Sequence, residues 1–448
     1  MIKNLLPEFL LITHMSIAWF IKTKYSRIIN NSLIFIIAAL ACYVGDESIK
    51  SSLFYFERST SLLKSLLLFG GFIISHSMKE EEVEKQIFMV GSILGSVMTI
   101  SAKDFLTLFL TIELAVIPIY LLSRADNFQL KIRSHFICDM VSTILFAAAI
   151  GLIYYSTESI NFDDVRYMIS LSSDQSKISW LSLFLIIISF SIRLGVFSCH
   201  IWVFDLVRKK NVTAELVCCI LQIALAFVFY RLITSIFYYL NARNIILIIG
   251  LASMIFMSFL LIFQNNIKKI IAYAVIYHAS AIFICSSFPS YNGIRGMIFS
   301  TISEMVSLLG IFTLLVRIKG SGFQELKNIN DLSFLSSKHP ILTLSISILF
   351  LSLLGFPPFL GFWGRFYICS SLVGEFFSMA VYAVSFVFNL IFMARILDAL
   401  WLHEKNDPFI LDDTSTRMIH FMSLVTIAAI PFAYKVLELV EIEMYFVQ

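Results

Sequence analysis

The sequence predicts an all-α polytopic membrane protein with about fourteen transmembrane helices. Of its 448 residues, 59% are hydrophobic and 14% are charged, against roughly 25% charged residues in an ordinary soluble domain. The apolar residues form long runs, and a helix needs about 20 such residues to cross a bilayer. Phe alone occurs 44 times, which argues against a disordered chain. A separate soluble domain is not expected.

Apolar runs bounded by charges and turn residues place the individual helices. The predicted spans are 5–22, 30–45, 60–78, 86–102, 104–123, 134–155, 179–199, 213–236, 244–263, 269–287, 295–317, 340–372, 375–401 and 416–439. The loops are short except for 156–178 and 318–339. No linker or shift of composition divides the chain, so we expect one membrane domain over 1–448.

The loops also predict an orientation. Lys and Arg are about twice as frequent in one set of alternate loops as in the other, which is the asymmetry that orients membrane proteins. An even number of spans puts both termini on the same side of the membrane. The loops on that side are the less basic set, so we expect the termini to face outward. The run that begins near Met1 is interpreted as a first membrane span, because it lacks a small-residue cleavage site.

Several function classes receive no support from the sequence. The net charge is only +3, and no long basic tract indicates nucleic-acid binding. The seven Cys form no CxxC pair, so we interpret them as small buried side chains. A dinucleotide fingerprint, a P-loop, a zincin helix and a nucleophile elbow are all missing from the sequence. Any part in redox chemistry would therefore use no cofactor or metal of this chain's own.

Two of the predicted spans are broken. The stretch 340–372 is too long for one straight crossing and carries GFPPFLG near its middle. The span 179–199 is followed by a polar and aromatic stretch, 200–211, which we interpret as a second half-helix. Broken helices at membrane depth persist only where protein or water satisfies the freed backbone groups.

Charged residues inside the spans are the main functional clue, because a charge at a helix centre costs about 2.5 to 3.5 kcal/mol on insertion scales. Glu113 is either a proton-carrying carboxylate or a structural partner of a buried Arg. Arg193 and Arg365 keep their charge under nearly all conditions. They are interpreted as counter-ions and electrostatic gates, with snorkelling toward the interface as the alternative for Arg365.

Further ionisable residues are candidates for a proton relay. His200 and His278 lie at or near span ends, and an imidazole changes its charge near neutral pH. Asp139 and Glu304 lie inside the sixth and eleventh spans. Each of the four is either a relay site or a structural hydrogen-bonding or ion-pairing partner, and the sequence alone leaves both interpretations open.

Four segments resemble the antiporter-like subunits of respiratory complex I in order and approximate spacing. They are SAKDFLTLFLTIELAVIPIYLLSR, SIRLGVFSCHIWVFD, QNNIKKIIAYAVIYHAS and LSLLGFPPFLGFWGRFY. The last segment resembles the chain 2 branch of that family more closely than the chain 4 and 5 branches. The resemblance runs from about Glu84 to Arg395, and the flanks match only in the number of spans.

The resemblance implies a fold of fourteen helices that contains two five-helix repeats of inverted topology. Such repeats place the functional site near the midplane, beside broken helices. For this chain it implies three N-terminal helices over 5–78, repeats over 84–236 and 244–401, and a last helix over 416–439. The seventh and twelfth spans would be the broken helices.

The resemblance also assigns residues to a proton-translocation axis. Glu113 occupies the position of the family's membrane glutamate. Arg193 and Arg365 stand where the family usually has lysines, and Gln222 stands where it has its central lysine. Because glutamine does not titrate and arginine holds its proton, the usual lysine-to-lysine relay cannot run in this chain.

The function implied is that of a core subunit of the complex I membrane arm, which couples electron transfer from NADH to ubiquinone to proton translocation. As part of the proton-translocating NADH:ubiquinone reductase, the chain itself would carry out no redox chemistry. NADH, FMN, the iron–sulfur clusters and ubiquinone would bind to other subunits. The alternatives are a membrane-arm subunit without its own proton path and a stand-alone Mrp-type cation/proton antiporter.

The resemblance further implies the surroundings of the chain. Its partners would be chain 4 and chain 4L type subunits and membrane lipids, with no nucleic acid. We expect a location in the mitochondrial inner membrane, because the Phe-rich composition fits an AT-rich organelle genome. The bacterial plasma membrane is the alternative.

Overall fold

The computed structural model describes most of the chain from the third predicted span onward. The described residues are 58–77, 83–124, 132–171, 177–196, 200, 202–204, 212–240, 242–317, 319–320, 328–402, 409–410 and 416–428. The predicted spans 5–22 and 30–45 lie outside the described residues, as does the end of the span predicted at 416–439.

Each predicted span from the third to the thirteenth contains a helix. In chain order the helices are α1 (Arg58–Ser77), α2 (Val83–Ser101), α3 (Phe105–Arg124), α4 (Ile132–Thr157), α5 (Phe162–Leu171), α6 (Lys177–Leu194), α7 (Val212–Arg231), α8 (Arg243–Ile262), α9 (Ile267–Ser286), α10 (Tyr291–Arg317), α11 (Phe334–Lys338), α12 (Pro340–Leu354), α13 (Leu360–Ser371) and α14 (Phe376–Trp401). A last described helix, α15, covers 416–428. The total of fourteen crossings stays a prediction, because two spans lie outside the described residues.

The other elements are short. A π-helical turn, Leu232–Ile236, continues α7, and 3-10 turns cover Tyr238–Leu240 and Ile329–Ser333. Strand β1 (Lys319–Gly320) pairs antiparallel with strand β2 (Phe409–Ile410). In the described part of the chain this two-residue pair is the only sheet, so the fold is nearly all-helical.

The long helices have the dimensions of membrane spans. Among the described residues, 8 helices are long and apolar enough to cross a membrane. They are α3, α4, α6, α7 with its π turn, α8, α9, α10 and α14. The chain is therefore a multi-pass membrane protein, as the composition predicted.

Helix α5 lies in the long loop 156–178, where the sequence predicted no helix. Two acidic residues, Asp163 and Asp164, interrupt its apolar pattern in the first turn. Phe162, Val165 and Ile169 are buried, and their helical spacing gives α5 a single apolar face. A single apolar stripe suits a surface helix and is too narrow for a membrane span.

The chain divides into two compact units. The first comprises the described parts of Met1–Leu194 together with Thr213–Asn244, and the second comprises those of Gly195–Val212 and Ile245–Leu437. The predicted repeats have similar boundaries, but their inverted symmetry stays a prediction.

The twelfth predicted span is interrupted in the second unit. Helix α12 ends at Leu354, and Gly355 follows with a φ of 85°, a left-handed conformation that glycine adopts without steric cost. The peptide bond between Pro357 and Pro358 is cis. Helix α13 then begins at Leu360. The break predicted from GFPPFLG is therefore present.

Neighbouring helices contribute hydrogen bonds to backbone carbonyls beside the break. The hydroxyl of Ser303 in α10 donates to the carbonyl oxygen of Ser352 over 3.3 Å. Nε2 of His278 in α9 lies 3.1 Å from the carbonyl oxygen of Leu353. Because a carbonyl oxygen only accepts, Nε2 must carry the proton. These contacts provide the internal satisfaction that a broken helix needs inside a bilayer.

The seventh predicted span ends in a similar way. Helix α6 stops at Leu194, and Gly195 has a φ of 70°. A Cβ at Gly195 would lie 2.6 Å from Cγ2 of Val203, so both the backbone angle and the space require glycine here. Residues 202–204 form a helical turn, while most of the half-helix predicted over 200–211 lies outside the described residues.

Candidate functional site

Three helices bring four polar side chains together in the first unit. Helix α3 supplies Glu113, α4 supplies Asp139 and Thr143, and α6 supplies Arg193. Nη2 of Arg193 lies 2.8 Å from Oε1 of Glu113, and its Nη1 lies 3.0 Å from Oδ1 of Asp139. We refer to these four residues as the Glu113 site.

The guanidinium is held more firmly by Glu113 than by Asp139. Nη2 of Arg193 donates to Oε1 of Glu113 and to Oγ1 of Thr143 over 2.8 Å. The Thr143 hydroxyl in turn donates to Oε1 of Glu113 over 2.9 Å. The contact between Nη1 and Asp139 is an ion pair without hydrogen-bond alignment. Charge-assisted hydrogen bonds are the stronger kind, so the pair with Glu113 dominates.

The Glu113 site is largely buried and its charges are unequal. The side-chain exposure is 2% for Arg193 and 8% for Asp139, and it is 19% for Glu113. One guanidinium compensates one carboxylate, so the site has an excess negative charge when both carboxylates are ionised. An uncompensated buried charge is costly, and uptake of one proton removes it. The arrangement can therefore hold one exchangeable proton.

Paired serines bring α4 and α6 close enough to form this site. Oγ of Ser142 lies 2.9 Å from Oγ of Ser189. Each hydroxyl also makes a 3.0 Å hydrogen bond to the backbone carbonyl of the other residue. Small residues with hydroxyl groups allow close helix packing in membranes. Because Arg193 lies one helical turn beyond Ser189, the contact places its guanidinium beside Thr143.

The structure adds Asp139 to the residues that the sequence assigned to the axis. The sequence marked Asp139 only as an acid inside the sixth span, with no partner. Asp139 and Thr143 lie one turn apart on the same helix, and this spacing is the sequence signal that could have placed both residues in the site. The Tyr120 hydroxyl of α3 interacts with the Asp139 carboxyl as well. The pairing with a buried arginine was one of the two interpretations of Glu113 and is present in the structure; its role as a proton carrier stays a prediction.

A second buried arginine lies on the broken helix of the second unit. The guanidinium carbon of Arg365, in α13, lies 4.3 Å from the centroid of the Tyr277 ring in α9. Nη1 and Nη2 of Arg365 have no hydrogen-bond partner among the described residues. Arg365 is buried, so snorkelling to the interface does not describe it. We refer to Tyr277, His278, Glu304 and Arg365 as the Arg365 site.

Close packing of the broken helix fixes the backbone of Arg365. A Cβ at Gly361 would lie 1.7 Å from the carbonyl oxygen of Ser352, and one at Gly364 would lie 2.9 Å from the backbone nitrogen of Ser300. Helix α13 therefore lies directly against the backbone of α12 at Gly361 and against the backbone of α10 at Gly364. The hydroxyl of Tyr382 in α14 donates to the carbonyl oxygen of Arg365 over 3.0 Å.

The charge of Arg365 acts on two candidate relay residues. Glu304 in α10 is buried and interacts electrostatically with Arg365 without an ion-pair contact. His278 also lies within the field of Arg365, and its Nδ1 has no hydrogen-bond partner in the described part of the chain. The structure therefore places His278 and Glu304 within electrostatic range of Arg365, although the sequence named the three residues separately.

The remaining two candidates lie apart from these contacts. Gln222 is buried in α7 and makes no hydrogen bond to the described residues of the Glu113 site. The His200 ring lies 5.7 Å from the Phe204 ring, and Phe204 in turn contacts Tyr273 of α9 at 4.7 Å. Their assignment to a relay stays a prediction.

These features define a class of protein. A multi-pass helical fold, an interrupted helix at a buried cation and ionisable side chains inside the spans are typical of membrane proteins that move ions or protons. The family model described as "NADH:quinone oxidoreductase/Mrp antiporter, TM" matches residues 102–392, which is more than half of the chain. The chain belongs to this family.

Individual relatives agree with the family match. The chain is 26% identical to "NADH-quinone oxidoreductase subunit N" of Pelagibacter ubique, over 86% of this chain and 84% of the relative. A chain of respiratory complex I from Thermus thermophilus has a TM-score of 0.84 at 16% identity, with 96% and 98% of the two chains covered. A chain of the Mrp complex from Dietzia sp. has a TM-score of 0.81 at 14% identity, with 98% and 96% covered. These two structures support the fold alone.

Proposed function

We propose that this chain is an antiporter-like core subunit of the complex I membrane arm and that it couples electron transfer from NADH to ubiquinone to proton translocation. Membership of the family supports the assignment to this class. The observation that carries the proton-translocating role is one buried guanidinium shared by two carboxylates, Glu113 and Asp139. Such a cluster gains or loses a proton when its geometry changes, because the charge balance changes with it.

The proposed step is indirect. Electron transfer elsewhere in the complex changes the separation between Arg193 and its carboxylates. When Arg193 contacts both, the ionised forms are stabilised, and when it withdraws from one carboxylate, that group takes up a proton. Arg193 keeps its own proton throughout. Its part is therefore to control how readily Glu113 and Asp139 take up a proton, and the carboxylates carry that proton.

The redox cofactors belong to other subunits in this proposal. NADH, FMN, iron–sulfur clusters and ubiquinone bind outside this chain, whose sequence carries no motif for a nucleotide or a cluster. The neighbours in the membrane arm are chain 4 and chain 4L type subunits, together with lipids. The chain contributes the proton path, and the complex as a whole contributes the enzyme activity.

Assembly is the first test. An affinity-tagged chain expressed in its own membrane should co-migrate with NADH dehydrogenase activity on a native gel. A matched Glu113→Gln chain should co-migrate equally, because glutamine keeps the shape of the side chain. A tagged chain that migrates as a small species without that activity would contradict the assignment to complex I.

The shared guanidinium gives a test of the mechanism. Asp139→Asn removes the excess charge of the Glu113 site but leaves the hydrogen bonds among Glu113, Thr143 and Arg193 in place. We expect an assembled complex that oxidises NADH but translocates fewer protons per NADH. Asp164→Asn, in surface helix α5, is the control and should leave the ratio unchanged. An unchanged number of protons translocated per NADH in Asp139→Asn would show that the Asp139 carboxylate takes no part in proton translocation.

A second candidate is a membrane-arm subunit that transmits conformational change without its own proton path. The observation that favours it is Gln222, a neutral amide where the family usually has its central lysine. Gln222→Leu discriminates between the two roles. A lower proton ratio in the assembled complex supports a path that uses the amide, whereas an unchanged ratio supports the conformational role.

A third candidate is a stand-alone cation/proton antiporter. The fold similarity to a chain of an Mrp complex is the observation behind it. The purified chain in proteoliposomes should show no sodium-driven or potassium-driven proton movement if it works only inside a redox complex. Sustained exchange by the isolated chain would favour the antiporter instead.

The finer topology and the location belong to the same proposal. We propose fourteen crossings with two inverted repeats, and termini on the outer side. The proposed membrane is the mitochondrial inner membrane, with the bacterial plasma membrane as the alternative; the relative from Pelagibacter ubique is bacterial. Protease accessibility of a C-terminal tag tests the orientation, and fractionation of the source cells tests the location.

A further inference from the structure

Arg365 is held in the protein interior by an aromatic ring. Its guanidinium carbon lies 4.3 Å from the centre of the Tyr277 ring. Arg365 is 4% exposed and Tyr277 is 3% exposed. Neither Nη1 nor Nη2 of Arg365 has a hydrogen-bond partner among the described residues. The ring is therefore the main contact that the structure gives to the charged head of this side chain.

The face of the Tyr277 ring is suited to holding the Arg365 guanidinium. The face of an aromatic ring carries partial negative charge, and its attraction for a cation is strongest when both groups are removed from water. A planar guanidinium stacks on such a face better than a compact ammonium does. The presence of arginine at position 365, where the resemblance gives a lysine in most of the family, thus matches the presence of Tyr277 opposite it.

The stem of Arg365 is fixed separately from its head. A Cβ at Gly355 would lie 2.4 Å from Cγ of Arg365, so the side chain crosses directly over the helix break. Tyr382 anchors the backbone carbonyl of Arg365 from α14. These contacts restrain the backbone and the first carbons of the side chain. The position of the guanidinium itself therefore depends on Tyr277.

We propose that Tyr277 is a positioning residue for proton translocation, which acts by holding the Arg365 guanidinium on its ring face. The ring stabilises the charge without using an N–H group, so Nη1 and Nη2 stay available to a partner that changes during the cycle. A carboxylate in the place of Tyr277 would occupy those groups, as Glu113 and Asp139 do for Arg193. The effect on translocation rests on the proposed function; the ring–cation contact does not.

Side-chain replacements test the role of the ring. In the assembled complex, Tyr277→Leu should lower the rate of proton translocation about thirtyfold, the effect of losing one desolvated cation–ring contact. Tyr277→Phe keeps the ring and should restore the rate to within about twofold of the wild-type rate. Phe283→Leu, which removes a buried ring from the same helix, is the packing control and should leave the rate unchanged.

A combined variant tests whether Tyr277 acts through Arg365. In the Arg365→Met background, Tyr277→Leu should cause little further loss, because the cation is already gone. An equal loss in both backgrounds would overturn the proposal. So would a Tyr277→Phe chain as defective as Tyr277→Leu, because the hydroxyl would then be the essential group.

A spectroscopic measurement separates this proposal from the proposed function. In Tyr277→Trp, ultraviolet resonance Raman bands of the indole should carry the signature of a cation on the ring face, and the additional change Arg365→Met should abolish it. This Raman signature is expected even if the chain pumps no protons. A spectrum that does not respond to Arg365→Met would refute the contact, whatever the activity of the complex.

Discussion

The two units hold their buried arginines in opposite ways. In the first unit, Arg193 contacts two carboxylates and a threonine hydroxyl. In the second, Arg365 lies on a tyrosine ring, and its Nη atoms have no hydrogen-bond partner among the described residues. The first guanidinium forms ion pairs with two carboxylates, whereas the second forms no ion pair in the described part of the chain. The same residue type thus serves as a bound counter-ion in one unit and as an available cation in the other.

The packing of the helices around the two arginines differs as well. Around Arg193, the contact between α4 and α6 depends on hydroxyl groups, with Ser142 and Ser189 bonded to each other. Around Arg365, Gly361 of α13 lies against α12 and Gly364 lies against α10, and neither position leaves room for a side chain. The first arrangement is held by polar contacts that can exchange partners. The second combines this steric fit with hydrogen bonds from Ser303 and His278 to carbonyls at the break.

The largest difference between the units should appear when each arginine is replaced. Arg193→Met leaves two buried carboxylates unpaired and should destabilise the assembled complex by about 3 to 5 kcal/mol. Arg365→Met removes a cation that has no ion pair in the described part of the chain, so its cost should be clearly smaller. Thermal inactivation of the detergent-solubilised complex measures both. Equal losses of stability in the two variants would contradict the distinction between the two sites.

A neutral version of the first site is the control for that result. In Arg193→Met combined with Glu113→Gln and Asp139→Asn, no charge is left unpaired, and most of the lost stability should return. A triple variant as unstable as Arg193→Met alone would show that packing, rather than charge, accounts for the loss.

Glycine replacements sharpen the contrast in packing. Gly361→Ala places a methyl group 1.7 Å from a backbone oxygen, and we expect a loss of about 3 kcal/mol, because overpacking against backbone is not relieved by a rotamer change. Gly151→Ala in α4 meets no atom within 4 Å and should be neutral or slightly stabilising. The thermal stabilities of the two variant complexes provide the comparison.

His278 connects the helix break to α9. His278→Phe keeps the bulk of the ring but removes the donor to the Leu353 carbonyl, which leaves a buried acceptor unsatisfied. We expect a loss of about 2 kcal/mol, seen as a lower midpoint of thermal inactivation. His420→Phe in α15 is the comparison, since His420 contacts a serine hydroxyl whose rotation provides other partners. An equal loss in both variants would contradict a special role for the break.

The smallest effect is expected at the serine pair. Ser142→Ala removes the hydroxyl contact with Ser189 and one donor to a backbone carbonyl. The expected loss is about 1 kcal/mol, together with a modest fall in protons translocated per NADH, because Arg193 is then less well placed. Ser156→Ala in the same helix bonds only within its own turn and should change neither quantity.

Most of the fold could be predicted because bilayer burial dictates the composition of each span. Apolar runs located the helices from the third span onward, and the glycine and prolines after Leu354 located the break. Helix α5 was missed because its apolar face is narrow and its first turn is acidic. The π turn at Leu232–Ile236 has no sequence signal of this kind, since it depends on backbone hydrogen bonding after α7.

The candidate site was predicted less completely, and the reason is physical. Glu113, Arg193, Glu304 and Arg365 stand out because a charge inside a span is rare. Which charges meet depends on how the helices rotate and approach, and that depends on pairs such as Ser142 and Ser189. The sequence therefore marked Asp139 without a partner. Tyr277 carried no signal at all, because a tyrosine is ordinary in an apolar span.

Proton translocation in this proposal depends on Glu113 as a proton-carrying carboxylate held by Arg193. The most direct measurement is the number of protons translocated per NADH oxidised by a complex that contains Glu113→Gln, in membranes where the complex is assembled to wild-type abundance. Glutamine keeps the contacts to Thr143 and Arg193 but cannot carry the proton, so the ratio should fall. An unchanged ratio in a fully assembled complex would contradict the account.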